Sequence, residues 1–382
     1  MNGLGNPAAG EDALRQQRRP WPVHVAAFFR EQSRGGAVAN HRRHRVQGRR
    51  SSRLSAALWA CTAYGLTATS TLVAIALIGD RTTLTYLAAL IFFWWLFPAP
   101  VLLLWTIAVR SPAAVLATLV APALLSVHVQ GPFVLNALGG GPDDRPADLR
   151  VATFNLTNGR PMDSLATLVA EHRPDVLLLQ EVNSSREQLA ELVPDYPYAS
   201  MGPGINGPGN DGYAVLSRHP VTGVQPVTGL PPNARPADLV TVTVDGRPLT
   251  LLSVHLASPC IGCPSDARVP GGDTAEAARL RLAETRRYIE VLADVLADGT
   301  AVVVGGDLNS SPLNRPLHEF TALGLTDAWG QVGTSPGLTR GPGPGVARVD
   351  VVLVAGMDAQ RVVKGSRGHS THSPVIADLV WS

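Results

Sequence analysis

The chain has 382 residues, 45% of them hydrophobic and only 16% charged, against about 25% charged in ordinary globular domains. That balance excludes a disordered or coiled-coil chain and points to membrane segments, while three cysteines exclude a disulfide-built or cysteine-rich metal-built fold. The net charge of +2 averages two unlike regions. Residues 1–53 carry eleven Arg against three carboxylates, a net of +8, and residues 141–382 carry nineteen Arg and Lys against twenty-six Asp and Glu, a net of −7.

In chain order, residues 1–53 show no apolar period and read as a disordered basic tail. The hydrophobic excess follows in 54–138. Leu54–Gly79 and Thr82–Val109 contain no charge, and neither does Pro112–Leu138. A spanning helix needs about 20 apolar residues, so three transmembrane helices are expected. Pro98 and Pro100 are expected to kink the second of them. The arginine-rich tail should stay cytoplasmic. Three crossings then carry everything after residue 138 outside, making a multi-pass membrane protein with an extracytoplasmic domain. Residues 139–147 read as a linker, with Asp143, Asp144 and Asp148 solvated.

From residue 148 to 382 the apolar runs become short and rich in Val and Leu. Leu149–Phe154, Val176–Leu179, Ala214–Leu216, Leu239–Val244, Leu249–Val254, Ala301–Val304, Val349–Val354 and Val375–Val380 read as strands. Asp245-Gly246 makes the fourth and fifth a hairpin. Helices are expected at Asp163–Glu171 and Thr274–Leu296, loops at Gly202–Gly212 and Gly333–Gly345. Many strands with few helices fit an α/β layered architecture, two sheets faced by helices.

Polar residues stand where these strands stop: Asn155, Glu181, His255, Asp307 with Asn309, Asp350, and His372. Six such positions at successive strand ends can converge on one sheet edge. Glu181 and Asn155 offer a hard, sparse oxygen set suited to Mg²⁺ or Mn²⁺. The two histidines can contact phosphate oxygens, one of them oriented by Asp350. Asp307 can orient a water for in-line attack on phosphorus, with Asn309 at a non-bridging oxygen. His369 reads as a loop residue and Asp378 as a surface position. Cys260 and Cys263 form a C-x-x-C lacking two further zinc ligands nearby; outside the cell it reads as a loop disulfide.

Gly306-Asp307-Leu308-Asn309 and Val176–Glu181, supported by Val254-His255-Leu256 and Arg348–Val352, make the segment 148–382 resemble the endonuclease/exonuclease/phosphatase (DNase I-like) superfamily. The resemblance implies a four-layer α/β/β/α sandwich. It also implies Glu181 as metal ligand with Asn155 beside it, His255 on the phosphate, Asp307 on the nucleophilic water with Asn309 as its phosphate-binding partner, and Asp350 orienting His372. The family usually ends in Ser-Asp-His, where this chain has Ser370-Thr371-His372; that departure puts two-metal chemistry in doubt. Several spans followed by such a domain are similar to membrane proteins associated with teicoplanin resistance. The expected activity is Mg²⁺- or Mn²⁺-dependent hydrolysis of a phosphodiester, phosphomonoester or lipid diphosphate. Two rivals stand beside it. A nuclease is disfavoured by the net of −7 and the lack of a basic, aromatic stripe; a catalytically inactive binding or anchoring module would show no metal-dependent turnover.

Overall fold

The computed structural model describes residues 52–125, 136–137, 145–158, 162–203, 212–259 and 274–382. Cys260 and Cys263, most of the Gly202–Gly212 loop, and residues 126–135 of the third apolar stretch lie outside them.

Twelve strands form two six-stranded sheets among the described residues. The first has the order β11 (Met357–Lys364), β12 (Val375–Trp381), β1 (Leu149–Asn155), β2 (Val176–Val182), β4 (Gly212–Ser217), β3 (Tyr198–Gly202). The second runs β5 (Val221–Pro226), β6 (Asp238–Val244), β7 (Arg247–His255), β8 (Ala301–Asp307), β10 (Asp350–Ala355), β9 (Thr326–Asp327). Alternation along each strand sends side chains to opposite faces. On β1, Leu149 and Val151 enter the core between the sheets, while Ala152 and Phe154 face the helices outside.

The first sheet's outer face is covered by α5 (Met162–His172) and α6 (Arg186–Leu192), through Leu165, Leu168 and Leu189. The second is covered by α7 (Thr274–Ala297) and α8 (Arg315–Ala322), through Tyr288, Leu292, Leu317 and Phe320. Four layers result, a DNase I-like sandwich. Each fully buried Leu or Phe contributes about 1.5–3 kcal/mol, so each helix is held by its apolar stripe. A short α9 (Ala328–Val332) bridges the two sheets, packing on β11 of the first and on β10 and β9 of the second.

Among the described residues two neighbouring pairs are parallel, β1 with β2 and β7 with β8. Each is joined through a covering helix, α5 or α7. The carboxyl ends of both pairs open at the same edge, where Asn155 stands level with Gln180 and His255 with Asp307. β10 starts there too, antiparallel to β8, with Asp350 opposite Asp307.

Before the sandwich lie α1 (Ser52–Arg81), α2 (Thr83–Leu90), α3 (Pro98–Ala108) and α4 (Pro112–Leu125). By length and composition α1 can cross a membrane, and Thr83–Leu90 with Phe92–Ala108 can form a second, broken span bent by 72°. The bend does not come from prolines inside a helix. It lies around Ile91, ahead of a 3-10 stretch at Phe92–Leu96, and Pro98 opens α3, a first-turn position where its missing N–H leaves no bond unmade. A second expectation also fails: Asp378 is buried at 8% exposure and paired with Arg150.

Candidate active site

The seven residues singled out at strand ends all lie at the edge where the parallel pairs finish. Asn155, Asp307, Asp350, His372 and His255 are buried, between 0% and 7% exposed, and Glu181 is half-buried. Local backbone features put them there. At Glu181 the β2–β4 register shifts by one residue and φ is +54°. This bulge turns Glu181 out toward the site, while Gln180 points inward to Thr153 and Ser253. Gly306 has φ +156°, and a Cβ there would sit 1.9 Å from the Val254 carbonyl oxygen. Only glycine lets β8 come close enough to β7 to set Asp307 beside His255.

Asn155 links the carboxylates. Its Nδ2 donates to Glu181 Oε1 at 3.0 Å and to Asp307 Oδ2 at 3.1 Å, while its Oδ1 accepts from the Thr157 N–H at 2.9 Å. The Asn158 N–H binds Glu181 Oε2 at 2.8 Å. Asp307 Oδ1 accepts the Asn309 N–H at 2.7 Å. Its Oδ2 is 3.7 Å from both His255 Nε2 and His372 Nε2. Asp350 presents both oxygens to His372 Nδ1, at 3.0 and 3.1 Å, so the Nε2 edge is free to face Asp307. Asn309 reaches elsewhere: its Nδ2 donates to the Leu256 carbonyl at 2.9 Å.

The two histidines differ in charge. Burial pushes His255 well below the usual imidazole value, and Arg235, His372 and Arg340 push the same way, so it is neutral near pH 7. Burial works against a charge on His372 as well, but the Asp350 and Asp307 carboxylates outweigh it and raise its pKa to about 9. Burial, followed by the repulsion of Asp350 and Glu181 against the attraction of His372, lifts Asp307 to about 6. Near neutral pH one imidazolium faces three carboxylates, which repels an anionic phosphate. The donor set fits a hard divalent cation: Glu181 is a part-buried carboxylate at this edge, and one ligand atom each of Asp307, Asp350 and His372 lie within 4.8 Å of one another.

Several neighbours carry no motif signal. Tyr86, in the second apolar stretch, donates its hydroxyl to the Asn309 carbonyl at 3.0 Å, and the Arg281 guanidinium lies 4.8 Å over its ring. Arg281 and Glu284 of α7 hold the Ala257 backbone at both its groups: Arg281 Nη1 donates to the Ala257 carbonyl at 3.0 Å, and Glu284 Oε2 accepts the Ala257 N–H at 2.8 Å. Burial raises Glu284 to about 7. Thr157 Oγ1 bonds Thr371 Oγ1 at 2.9 Å and Ser370 Oγ at 3.0 Å. Arg340 is exposed and bridged by its backbone to His372. A lone Tyr in an apolar run, or an Arg in a glycine loop, tells nothing of a partner so far along the chain.

Among solved structures, the chain is similar to the human Nocturnin catalytic domain with bound sulfate (16% identity, TM-score 0.48, 62% of this chain and 100% of that one). It is similar also to the Neisseria 3′ phosphatase NExo bound to a product DNA hairpin (19%, 0.47, 61% and 100%) and to sphingomyelinase C of Streptomyces griseocarneus (21%, 0.43, 61% and 99%). No curated protein matches it. The sequence profile described as the Endonuclease/Exonuclease/phosphatase family matches residues 135–372, which span every residue of the site, and the chain belongs to that family.

Proposed function

We propose that this chain is a membrane-anchored, Mg²⁺- or Mn²⁺-dependent phosphoesterase that hydrolyses a phosphate ester or lipid diphosphate at the extracytoplasmic face. The observation that carries the reading is Asp307, set by Asn155 between two histidines of unlike charge. In this reading its Oδ2 orients a water and accepts its proton as the water oxygen bonds phosphorus and the P–O bond to the leaving group breaks. His372, fixed through Nδ1 by Asp350, presents Nε2–H to a phosphoryl oxygen and stabilises the charge that builds there. Neutral His255 supplies a second polar contact. Glu181, with Asn155 beside it, would hold the divalent cation, which supplies the positive charge that lets an anionic phosphate enter.

Location rests on the apolar block. Among the described residues, every exposed large hydrophobic side chain except Tyr198 and Val224 lies between residues 54 and 119, including Trp59, Leu77, Leu84, Phe97 and Leu104 at 70% exposure or more. Such surface belongs in lipid rather than water. The turn ending α1 is docked on the sandwich through Asp80 and Asn314, which supports a catalytic domain on the side where α1 emerges, opposite the arginine-rich tail.

The rim favours a substrate with more than one anionic group. Thr371 stands where the family usually has a carboxylate, and Arg340 is bridged to the next residue, His372; both make the rim less negative. A screen of full-length protein in detergent tests the function, with a phosphomonoester, a phosphodiester and an isoprenyl diphosphate as substrates. At least one should be turned over with Mg²⁺ or Mn²⁺, stop with EDTA and resume on adding the metal back. No turnover of any class, or turnover indifferent to EDTA, would favour the inactive-module reading or a different chemistry.

A further inference from the structure

A second charged cavity lies away from the catalytic edge, where α1 meets the sandwich. It encloses about 390 Å³ and is lined by Arg81, Arg279, Arg286 and Arg315, with Asp80 and Leu282 among them. None of the four arginines makes an ion pair or hydrogen bond among the described residues, and all four are exposed. The one acid is engaged: Asp80 is buried and accepts from Asn314 Nδ2 at 2.6 Å. Four guanidinium groups around one cavity repel each other, and their planar forks suit phosphate oxygens.

A second cavity of about 270 Å³ flanks α1 farther from that turn, lined by Leu72, Val73, Ala76, Leu313 and His318. The two meet around α8: Arg315 lines the charged one, and His318 of the same helix the apolar one. The α-helical part of α1 from Val73 to Ile78 and the 3-10 turn that begins at Gly79 separate Val73 from Asp80, on the order of 10 Å at 1.5–2 Å per residue. An arginine-lined cavity at the end of an apolar helix, with an apolar cavity about 10 Å farther along it, has the polarity and spacing of a phospholipid. None of the residues at the catalytic edge lines either cavity.

We propose that the arginine cavity binds the phosphate of an anionic phospholipid of the surrounding bilayer, with an acyl chain lying against α1 in the apolar cavity. The inference rests on the membrane-anchored reading. The bound lipid fixes the height of the sandwich above the membrane, because the same turn, Gly79–Arg81, ends α1 and lines the site.

The test uses full-length protein released from membranes in mild detergent, with native mass spectrometry to count retained lipid. Phosphatidylglycerol should be retained over phosphatidylcholine. Combining Arg279→Gln, Arg286→Gln and Arg315→Gln should lower that preference by at least about tenfold, given about 1 kcal/mol per basic residue near an anionic surface, with unchanged thermal unfolding in detergent. Val73→Trp, which fills the apolar cavity and leaves the arginines, should lower retention of both lipids. Equal retention of the two lipids by the wild-type chain would overturn the site. So would displacement of phosphatidylglycerol by equimolar inorganic phosphate, which would make it a site for free anions. Carbonate extraction separates the two claims: protein washed off the membrane would overturn the anchoring itself, whereas retained protein without lipid preference would overturn this inference alone.

Discussion

At the residue scale, the proposed chemistry rests on one imidazole being charged and its neighbour not. His372 owes its proton to Asp350 and Asp307, which outweigh burial and hold its pKa at about 9. If the imidazolium is the form that stabilises the phosphoryl oxygens, the rate should fall as pH rises through about 9. Asp350→Asn removes the larger of the two raising influences and leaves burial, which lowers the pKa. The alkaline limb should therefore move to lower pH in a pH–rate profile of that variant; a limb that stays in place would show that another group titrates there. The seven strand-end residues were legible because polar groups interrupt Val- and Leu-rich runs at their ends. What the sequence could not show is which atom of each does what. Asn309 pairs by type with a phosphate oxygen, yet its amide nitrogen lies on the Leu256 carbonyl. The Asn155 amide nitrogen, not its oxygen, faces the carboxylates.

At the scale of elements, strands buried on both faces were legible as apolar runs, and Asp245-Gly246 gave the β6–β7 hairpin with both residues at positive φ. Edge strands were not. β5 is mostly exposed, β3 is half-exposed, and β9 has two residues, so neither apolar runs nor length marks them. α8 was missed because its eight residues carry an apolar stripe of only Leu317 and Phe320 with Pro316. The docking of α2 on the catalytic loop was equally hidden, since Tyr86 and Asn309 are 223 residues apart. That contact has a consequence. Tyr86→Phe keeps the ring under Arg281 and deletes the bond to the Asn309 carbonyl, a loss of about 0.5–1.5 kcal/mol. Turnover should fall several-fold with KM little changed, and Tyr86→Ala, which also removes the ring from Arg281, should be worse. Equal, wild-type-like rates in both variants would mean that α2 anchors the domain without supporting Asn309.

At the scale of the whole molecule, a chain with a mean charge near zero is built from a basic tail, an apolar block and an acidic sandwich. The sandwich carries its own core between and around two sheets, while the apolar block leaves many of its large side chains outward and buries others, Tyr86 and Phe92 among them. Three crossings would put residue 382 outside, so an alkaline phosphatase fused after Ser382 should be active and a cytoplasmic reporter there silent. The reverse pattern would mean that the stretch beginning at Pro112 does not cross. The central claim is hydrolysis centred on Asp307 and His372, and steady-state turnover by the full-length protein in detergent with Mg²⁺ tests it most directly. Asp307→Ala and His372→Ala should each lower kcat at least about 10²-fold while the protein stays folded. If both variants hydrolyse the substrate at the wild-type rate, the assignment of this site is wrong.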